Sequence, residues 1–326
     1  MNKLSKLPNK ETIIIDGMNL FHRVYHGNFS GLTASNGYPT GAVFGFFHSL
    51  LHLVNIAESN RFIICWESDK RNWKKSKDDN YKANRKKDWS EDEISAFRIC
   101  LRDVKYMADI IGILQITVPN FEADDIIFYL ADQLKENLII VSNDKDMLQL
   151  INDDRNVVCY RPIIKNKGKN ETVKIKGGYL IADKAGCIET FHRLLPKQVP
   201  YFLALAGDSS DNVKGIKGVG EKKALSILKE YKIINTDNFK KAIPKRNERK
   251  QFLDSLMLVK SSSIIKRFDG FNINNFSGAE PFNCDAVEEM LNDFGIKKYN
   301  SHELKRLSNY SFKRKILNKL LEIYHE

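Results

Sequence analysis

Four short apolar runs constrain this chain most, because each ends in carboxylates or leads straight into them. They are "TIIID" (12–16), "RFIICWE" (61–67), "ILQITVP" (113–119), which runs into "FEADD" (121–125), and "NLIIVSND" (137–144). Runs of this length, rich in Ile and Val, read as buried strands rather than helices. Between them, "GAVFGFFHSLLHLVNIAE" (41–58) has helical apolar spacing. "SEDEISAFRICLRDVKYMADIIG" (90–112) opens with Ser90 as N-cap and Glu93 at the capping-box position. Strands alternating with helices predict an α/β core with a mainly parallel sheet. Sites in such sheets form beyond the carboxyl ends of the strands. Asp16, Glu67 and Asp144 stand at such ends, and the 121–125 group follows another directly, so acids far apart in sequence are expected to converge.

"NVVCYRP" and "ETVKIKGG" predict a hairpin that turns at 165–170. From about residue 188 the strand signal fades and helices dominate. The expected division is an α/β part, 1–188, and a helical part, 189–326.

The acids fall into four groups: Asp16; Glu122, Asp124 and Asp125; Asp144 and Asp146 in "SNDKDM"; and Asp208 and Asp211 in "AGDSSDN". Glu67 is a candidate to join them. Two unit charges about 4 Å apart repel by about 4 kcal/mol at an effective dielectric near 20. Several such pairs would offset a domain stability of about 5–15 kcal/mol, unless the acids stay apart, protonate or bind cations. Oxygen donors with no His or Cys nearby favour Mg²⁺ or Mn²⁺ over Zn²⁺. Taken singly, each group has a structural reading; Asp124 and Asp125, for instance, suit a helix N-terminus. All four together, at strand or element ends, favour a metal site.

The net charge of +11 and pI near 9.2 point to a polyanionic partner, most simply nucleic acid. Lysine-rich coding in AT-rich genomes gives similar totals, so charge alone does not decide. "DKRNWKKSKDDNYKANRKKDW" (69–89) holds nine Lys and Arg against four acids, with Trp73, Tyr81 and Trp89 interleaved. Such cations can neutralise phosphates, and the rings can stack on unpaired bases. In "GIKGVGEKKA" (215–224), Gly215, Gly218 and Gly220 precede a helix that starts with Lys222 and Lys223. Helix amides and lysines there suit a phosphodiester oxygen. No apolar run approaches the roughly 20 residues of a membrane span. The apolar run before Asp16 is too short for a signal peptide. Cysteines 65, 100, 159, 187 and 284 form no CxxC pair, which predicts free thiols in a reducing cytoplasm and no zinc site.

In this order, "IIIDGMNLFHRVYH", "GYPTGAVFGF", "NYKANR", "FEADD", "VSNDKDMLQL" and "AGDSSDNVKGIKGVGEKKA" resemble the structure-specific 5′-nucleases, the flap endonuclease superfamily, over roughly residues 12–260. The compact size is most similar to phage replication members, the 5′-3′ exonucleases and the RNase H type that removes RNA primers. The resemblance implies a PIN-like α/β domain with a helical arch near 69–100, and a helix–hairpin–helix element near 205–230. It implies 5′-3′ exonuclease and flap endonuclease activity with two Mg²⁺ ions, Mn²⁺ as a substitute, and a K⁺ at the glycine turn. Asp16, Glu122, Asp124 and Asp125 would hold or surround the first ion, and Asp144, Asp146, Asp208 and Asp211 the second. Arg23 would lie near the scissile phosphate. Tyr81, Lys82 and Arg85 would form the base of the arch, with Lys82 and Arg85 gripping the phosphate. Lys74, Lys86 and Lys87 are further DNA-binding candidates, with Gly215, Gly218, Gly220, Lys222 and Lys223 on the duplex.

Two departures stand out. Glu67 occupies a position where Asp is usual, with Asp69 as a substitute, and Trp73-Lys74 replaces Phe-Arg, which loses a bidentate fork. The implied partners are 5′-flap, nicked or forked duplex DNA and RNA–DNA hybrid, bound by a monomer with no membrane contact. The helical face of Phe312, Ile316, Leu317, Leu320 and Tyr324 reads as packing on its own domain, or as a dock for a sliding clamp or single-strand binding protein. Two other readings are a PIN-type ribonuclease, which normally lacks the glycine turn, and a non-catalytic DNA-junction binder.

Overall fold

The computed structural model describes residues 11–70, 72–85, 89–163, 174–265, 276–277 and 280–325. The expected strands are present as β1 (Thr12–Asp16), β2 (Phe62–Trp66), β3 (Leu114–Thr117) and β4 (Leu138–Val141), joined by β5 (Val157–Pro162). These five run parallel in the order β5-β4-β1-β2-β3. Alternate side chains serve two apolar layers, as the strand pleat requires. Ile14 and Ile63 face one layer, while Ile13, Ile15, Phe62 and Ile64 face the other. Burying each Ile contributes about 1.5–3 kcal/mol, so strands this apolar need helices on both faces.

α1 (Gly17–Tyr25), α2 (Gly41–Ala57) and α4 (Glu91–Ile111) supply one layer. The short α3 (Trp73–Lys77) precedes α4, and α5 (Ala123–Gln133) covers the opposite face. The Ser90–Glu93 capping box at the start of α4 is formed in both directions. The order of strands reverses at β1: β2 and β3 add on one side, β4 and β5 on the other. That reversal opens a crevice between the carboxyl ends of β1 and β4.

The expected hairpin is corrected. The antiparallel neighbour of β5 is β7 (Tyr179–Ala182), and β6 (Ile175–Lys176) pairs with β7 across Gly177 and Gly178, whose φ angles are +54° and +75°. Tyr179 and Ala182 are buried while Ile175 and Lys176 are exposed, so burial selects β7 as the inner strand. The 165–170 turn lies outside the described residues.

The helical part comprises α6 (Lys184–Thr190), α7 (Val199–Ala206), α8 (Glu221–Tyr231), α9 (Phe239–Ala242), α10 (Arg246–Val259) and α11 (Ser261–Ile265). α10 packs on α7 and α11 on α5, which continues the layer on that face of the sheet. The glycine turn joins α7 to α8. A Cβ on Gly215 would come within 2.3 Å of the Gly207 amide, and Gly218 has φ +78°, so this path needs both glycines.

The chain then returns to the sheet. β8 (Phe276–Ser277) pairs antiparallel with β3, and α12 (Cys284–Asp293) packs on α4. After α13 (Ser301–Leu304), α14 (Tyr310–His325) buries Phe312 and Ile316 in the core, and the Arg61 guanidinium lies 4.7 Å from the Phe312 ring centre. Leu317 is partly buried against the same core. The side chains of Leu320 and Tyr324 lie outside the described ones. No described helix is long and apolar enough to cross a membrane.

Candidate active site

The β1–β4 crevice brings the first acids together. Asp16 ends β1 and caps α1, accepting from the Asn19 amide at 3.0 Å and from Ser142 Oγ, just past β4, at 3.0 Å. A Cβ on the following Gly17 would meet the Trp66 ring at 2.6 Å, which accounts for glycine there. Burial pushes the Asp16 carboxyl up to about 7, and the charges of Asp144 and Glu67 add to this. Asp144 caps a 3-10 turn at 145–150 by accepting from the Asp146 amide at 2.9 Å. It is pushed up to about 6 by burial and by Asp211. Asp146 is 4 % exposed and is pushed well above the ordinary range by burial, then by Asp144, Asp211 and Asp208. Its Oδ1 is buried with no hydrogen-bond partner among the described residues.

The group at the start of α5 is arranged differently. Glu122 is the N-cap residue, and the Asp125 carboxylate accepts from its amide at 3.1 Å. Glu122, Asp124 and Asp125 each place one oxygen within 4.8 Å of the others. Lys74 stands among them: its Nζ is 3.1 Å from Glu122 Oε2, 3.1 Å from Asp124 Oδ2 and 2.9 Å from Asp125 Oδ1. This corrects the expectation that Lys74 binds DNA. At 1 % exposure its ammonium is enclosed by carboxylates. Burial works against its charge, but Asp124, Asp125 and Glu122 more than offset that and raise its pKa.

Lys82 has φ +53° and donates to Glu122 Oε1 at 2.7 Å. Asn72 Nδ2 donates to the same oxygen at 2.9 Å. Tyr81 lies between the acid groups and lines the cavity that opens onto them. It is 2 % exposed, and its hydroxyl bridges Glu122 Oε2 at 2.9 Å and Asp211 Oδ2 at 3.1 Å. The Trp73 indole donates to Asp125 Oδ2 at 3.0 Å, and the ring is partly buried against the core. Burial alone would raise the Glu122 carboxyl, yet Lys74 and Lys82 draw it down to about 2.

Asp208 and Asp211 lie in the loop after α7. Lys145, unremarked in the sequence although it sits inside "SNDKDM", donates to Asp208 Oδ1 at 2.6 Å. Ser210 Oγ donates to the same oxygen at 2.6 Å. Burial opposes ionisation of Asp208, but these partners hold its carboxyl below the ordinary range. The segment around Lys82 is tied to this loop: its amide donates to the Asp211 carbonyl at 2.8 Å, and Asn84 Nδ2 to the Ser209 carbonyl at 2.7 Å.

A cavity of about 850 Å³ opens onto these residues. Asp16, Glu67, Asp69, Asp79, Glu122, Asp124 and Asp144 are its acidic lining. Met18, His22, Trp89 and Phe97 form an apolar wall, and Lys82 also reaches it. Sequence reading found Trp89 but missed His22 and Phe97. Their signal is helical spacing on α1 and α4, which is the same as for a core position. The described lining includes neither Asp125 nor Lys74.

Arg23 lies off the cavity and donates to the Tyr179 hydroxyl at 2.9 Å. Arg85 ends a short turn at 83–85, and its side chain lies outside the described ones. Lys86 and Lys87 also lie outside the described residues. Lys222 and Lys223 are exposed at the start of α8. The donor set fits a hard divalent cation: the ligands are oxygen, Asp16 and Asp144 line the cavity with raised pKa, and Asp146, raised too by burial and by the charge of Asp144, keeps a buried oxygen with no hydrogen-bond partner among the described residues.

Comparison with known proteins gives a consistent result. Residues 11–191 match the 5′-3′ exonuclease N-terminal resolvase-like domain, and residues 194–262 match the 5′-3′ exonuclease C-terminal SAM fold. The chain is 32 % identical over 237 residues to the 5′-3′ exonuclease of Bacillus subtilis, covering 70 % of this chain and 72 % of that one. It is 31 % identical over 244 residues to the DNA polymerase I of Caldicellulosiruptor bescii, covering 72 % of this chain but only 27 % of the polymerase. In fold it is similar to the D15 flap endonuclease of bacteriophage T5, solved with DNA and metal ions, at a TM-score of 0.63 and 15 % identity over 97 % of this chain and 100 % of that one.

Proposed function

The chain belongs to the 5′-3′ exonuclease family, nucleases that hydrolyse phosphodiester bonds, and from that premise we propose that it cleaves branched or nicked duplexes at 5′ flaps and RNA primers. The observation that carries this reading is the convergence of strand-end acids on one cavity beside Lys82 and an apolar wall. Asp16, Glu122, Asp124 and Asp144 would hold one Mg²⁺ or Mn²⁺, with Glu67 or Asp69 from the same lining. Asp146, Asp208 and Asp211 would hold or surround a second. When bound, such ions supply an activated water and offset charge on the phosphate. Lys82, with Arg85, would contact the scissile phosphate, where fixed cations stabilise developing charge. Trp89, Phe97 and His22 would receive the unpaired strand, with Arg23 on the flank near Tyr179.

The Gly215–Gly220 turn and Lys222 and Lys223 would hold the duplex backbone, with a K⁺ on the turn. The chain would act as a monomer in the cytoplasm. A sliding clamp or single-strand binding protein would have to dock away from Phe312 and Ile316, which the core covers. The test is product length from a 5′-labelled DNA flap and a nicked RNA–DNA hybrid. We expect Mg²⁺-dependent cleavage at the junction, reduced on the order of 1,000-fold when Asp144→Asn is combined with Asp146→Asn. Wild-type rates in that variant would overturn the assignment.

A further inference from the structure

Lys74 is charged, buried and outside the cavity, so nothing in the proposed chemistry accounts for it. Its ammonium donates to Glu122 and to Asp124 at 3.1 Å each and lies 2.9 Å from Asp125 Oδ1 as an ion pair. Asp125 is 0 % exposed and also stays behind the cavity lining. Its other oxygen accepts from the Glu122 amide and from the Trp73 indole, which closes the first turn of α5 and joins it to α3. Glu122 and Asp124 each give one oxygen to Lys74 while lining the cavity.

We propose that Lys74 is a positioning residue: an internal cation, hydrogen-bonded to Glu122 and Asp124 and ion-paired with Asp125, that fixes the first turn of α5 so that Glu122 and Asp124 face the cavity. Asp125 is then a partner of Lys74 and no metal ligand. Three carboxylates this close repel one another, and a buried ammonium between them offsets that repulsion from the side away from substrate. The proposal rests on the reading of Glu122 and Asp124 as metal ligands. It divides a three-acid cluster into two ligands and one structural acid.

The experiment is Mn²⁺ binding by titration calorimetry, with melting temperature in EDTA, on the full chain. Removing a residue that orients ligands typically costs about 10–100-fold in metal affinity. Lys74→Met should therefore weaken Mn²⁺ binding at least about tenfold and lower the melting temperature, and Lys74→Arg should recover most of both. Asp125→Asn should stay within about threefold of wild type in Mn²⁺ affinity, whereas Asp124→Asn should lose about tenfold or more. Adding Asp125→Asn to Lys74→Met should restore part of the loss, because one of the buried charges left without Lys74 is gone.

A folded Lys74→Met with wild-type Mn²⁺ affinity would overturn the proposal. So would an Asp125→Asn as impaired as Asp124→Asn. If Lys74→Met does not fold, Lys74→Arg and Asp125→Asn carry the test, and a folded Lys74→Arg that loses about tenfold in affinity counts against it. A wild-type chain that binds no Mn²⁺ would refute the metal reading instead, while the Lys74–Asp125 coupling in EDTA would still be measurable.

Discussion

Glu122 is surrounded by Lys74, Lys82, Tyr81 and Asn72, whereas Asp146 keeps a buried oxygen with no partner among the described residues. Both are acids beside one crevice, and both are at most 4 % exposed. Their ionisation differs accordingly. Two lysines draw Glu122 down to about 2, while burial and like charges push Asp146 up. The chain thus compensates Glu122 with its own cations and leaves Asp146 to be compensated from outside. Net charge could not show this, because a basic total says nothing of which acids the lysines reach.

The sharpest probe of the compensated acid is Lys82→Ala. It removes the cation that serves both Glu122 and the proposed phosphate contact. We expect flap cleavage in Mg²⁺ to fall on the order of 100-fold and the melting temperature in EDTA to drop. An unchanged rate would remove Lys82 from the chemistry.

A second probe moves an acid from one class to the other. Lys145→Ala deprives Asp208 of its ion pair. The Asp208 carboxyl should then titrate higher by carbon-detected NMR, and cleavage should fall about tenfold. A carboxyl that stays below the ordinary range without Lys145 would break the distinction.

The third effect is smaller and concerns pH. Asp16 is raised from 3.8 to about 7 in the folded chain, so the folded state holds a proton that the unfolded state has released between those values. Its contribution is present below pH 4 and is lost as pH rises through 7. In EDTA, Asp16→Asn should therefore stabilise the chain more at pH 8 than at pH 5, read as melting temperature. The opposite trend would mean that Asp16 is compensated after all. Glu122 has the reverse sign, with stability present above pH 4.5 and lost toward pH 2.

Much of the scaffold was legible because it rests on local periodicity. The four strands, the Ser90 cap and the convergence of Asp16, Asp124 and Asp144 follow from short-range pattern plus the rule for open sheets. Lys74 was not legible. In "NWKKSKD" it looks like a solvated cation, and only the fold brings it to acids 48 to 51 residues away. Lys145 was hidden for the same reason, its partner lying 63 residues on. β7 and β8 were missed because strands this short carry little alternation, and pairing with β5 and β3 decides them. Departures from the family pattern located the uncertain stretch, 67–74, but the charge on Lys74 proved to serve the acids.

The contrast between Glu122 and Asp146 is tested most directly by two charge-neutralising variants melted side by side in EDTA at pH 8. Asp146→Asn should raise the melting temperature, because it removes an uncompensated buried charge. Glu122→Gln should lower it, because it takes an ion-pair partner from both Lys74 and Lys82. Shifts of the same sign in both variants would contradict the account.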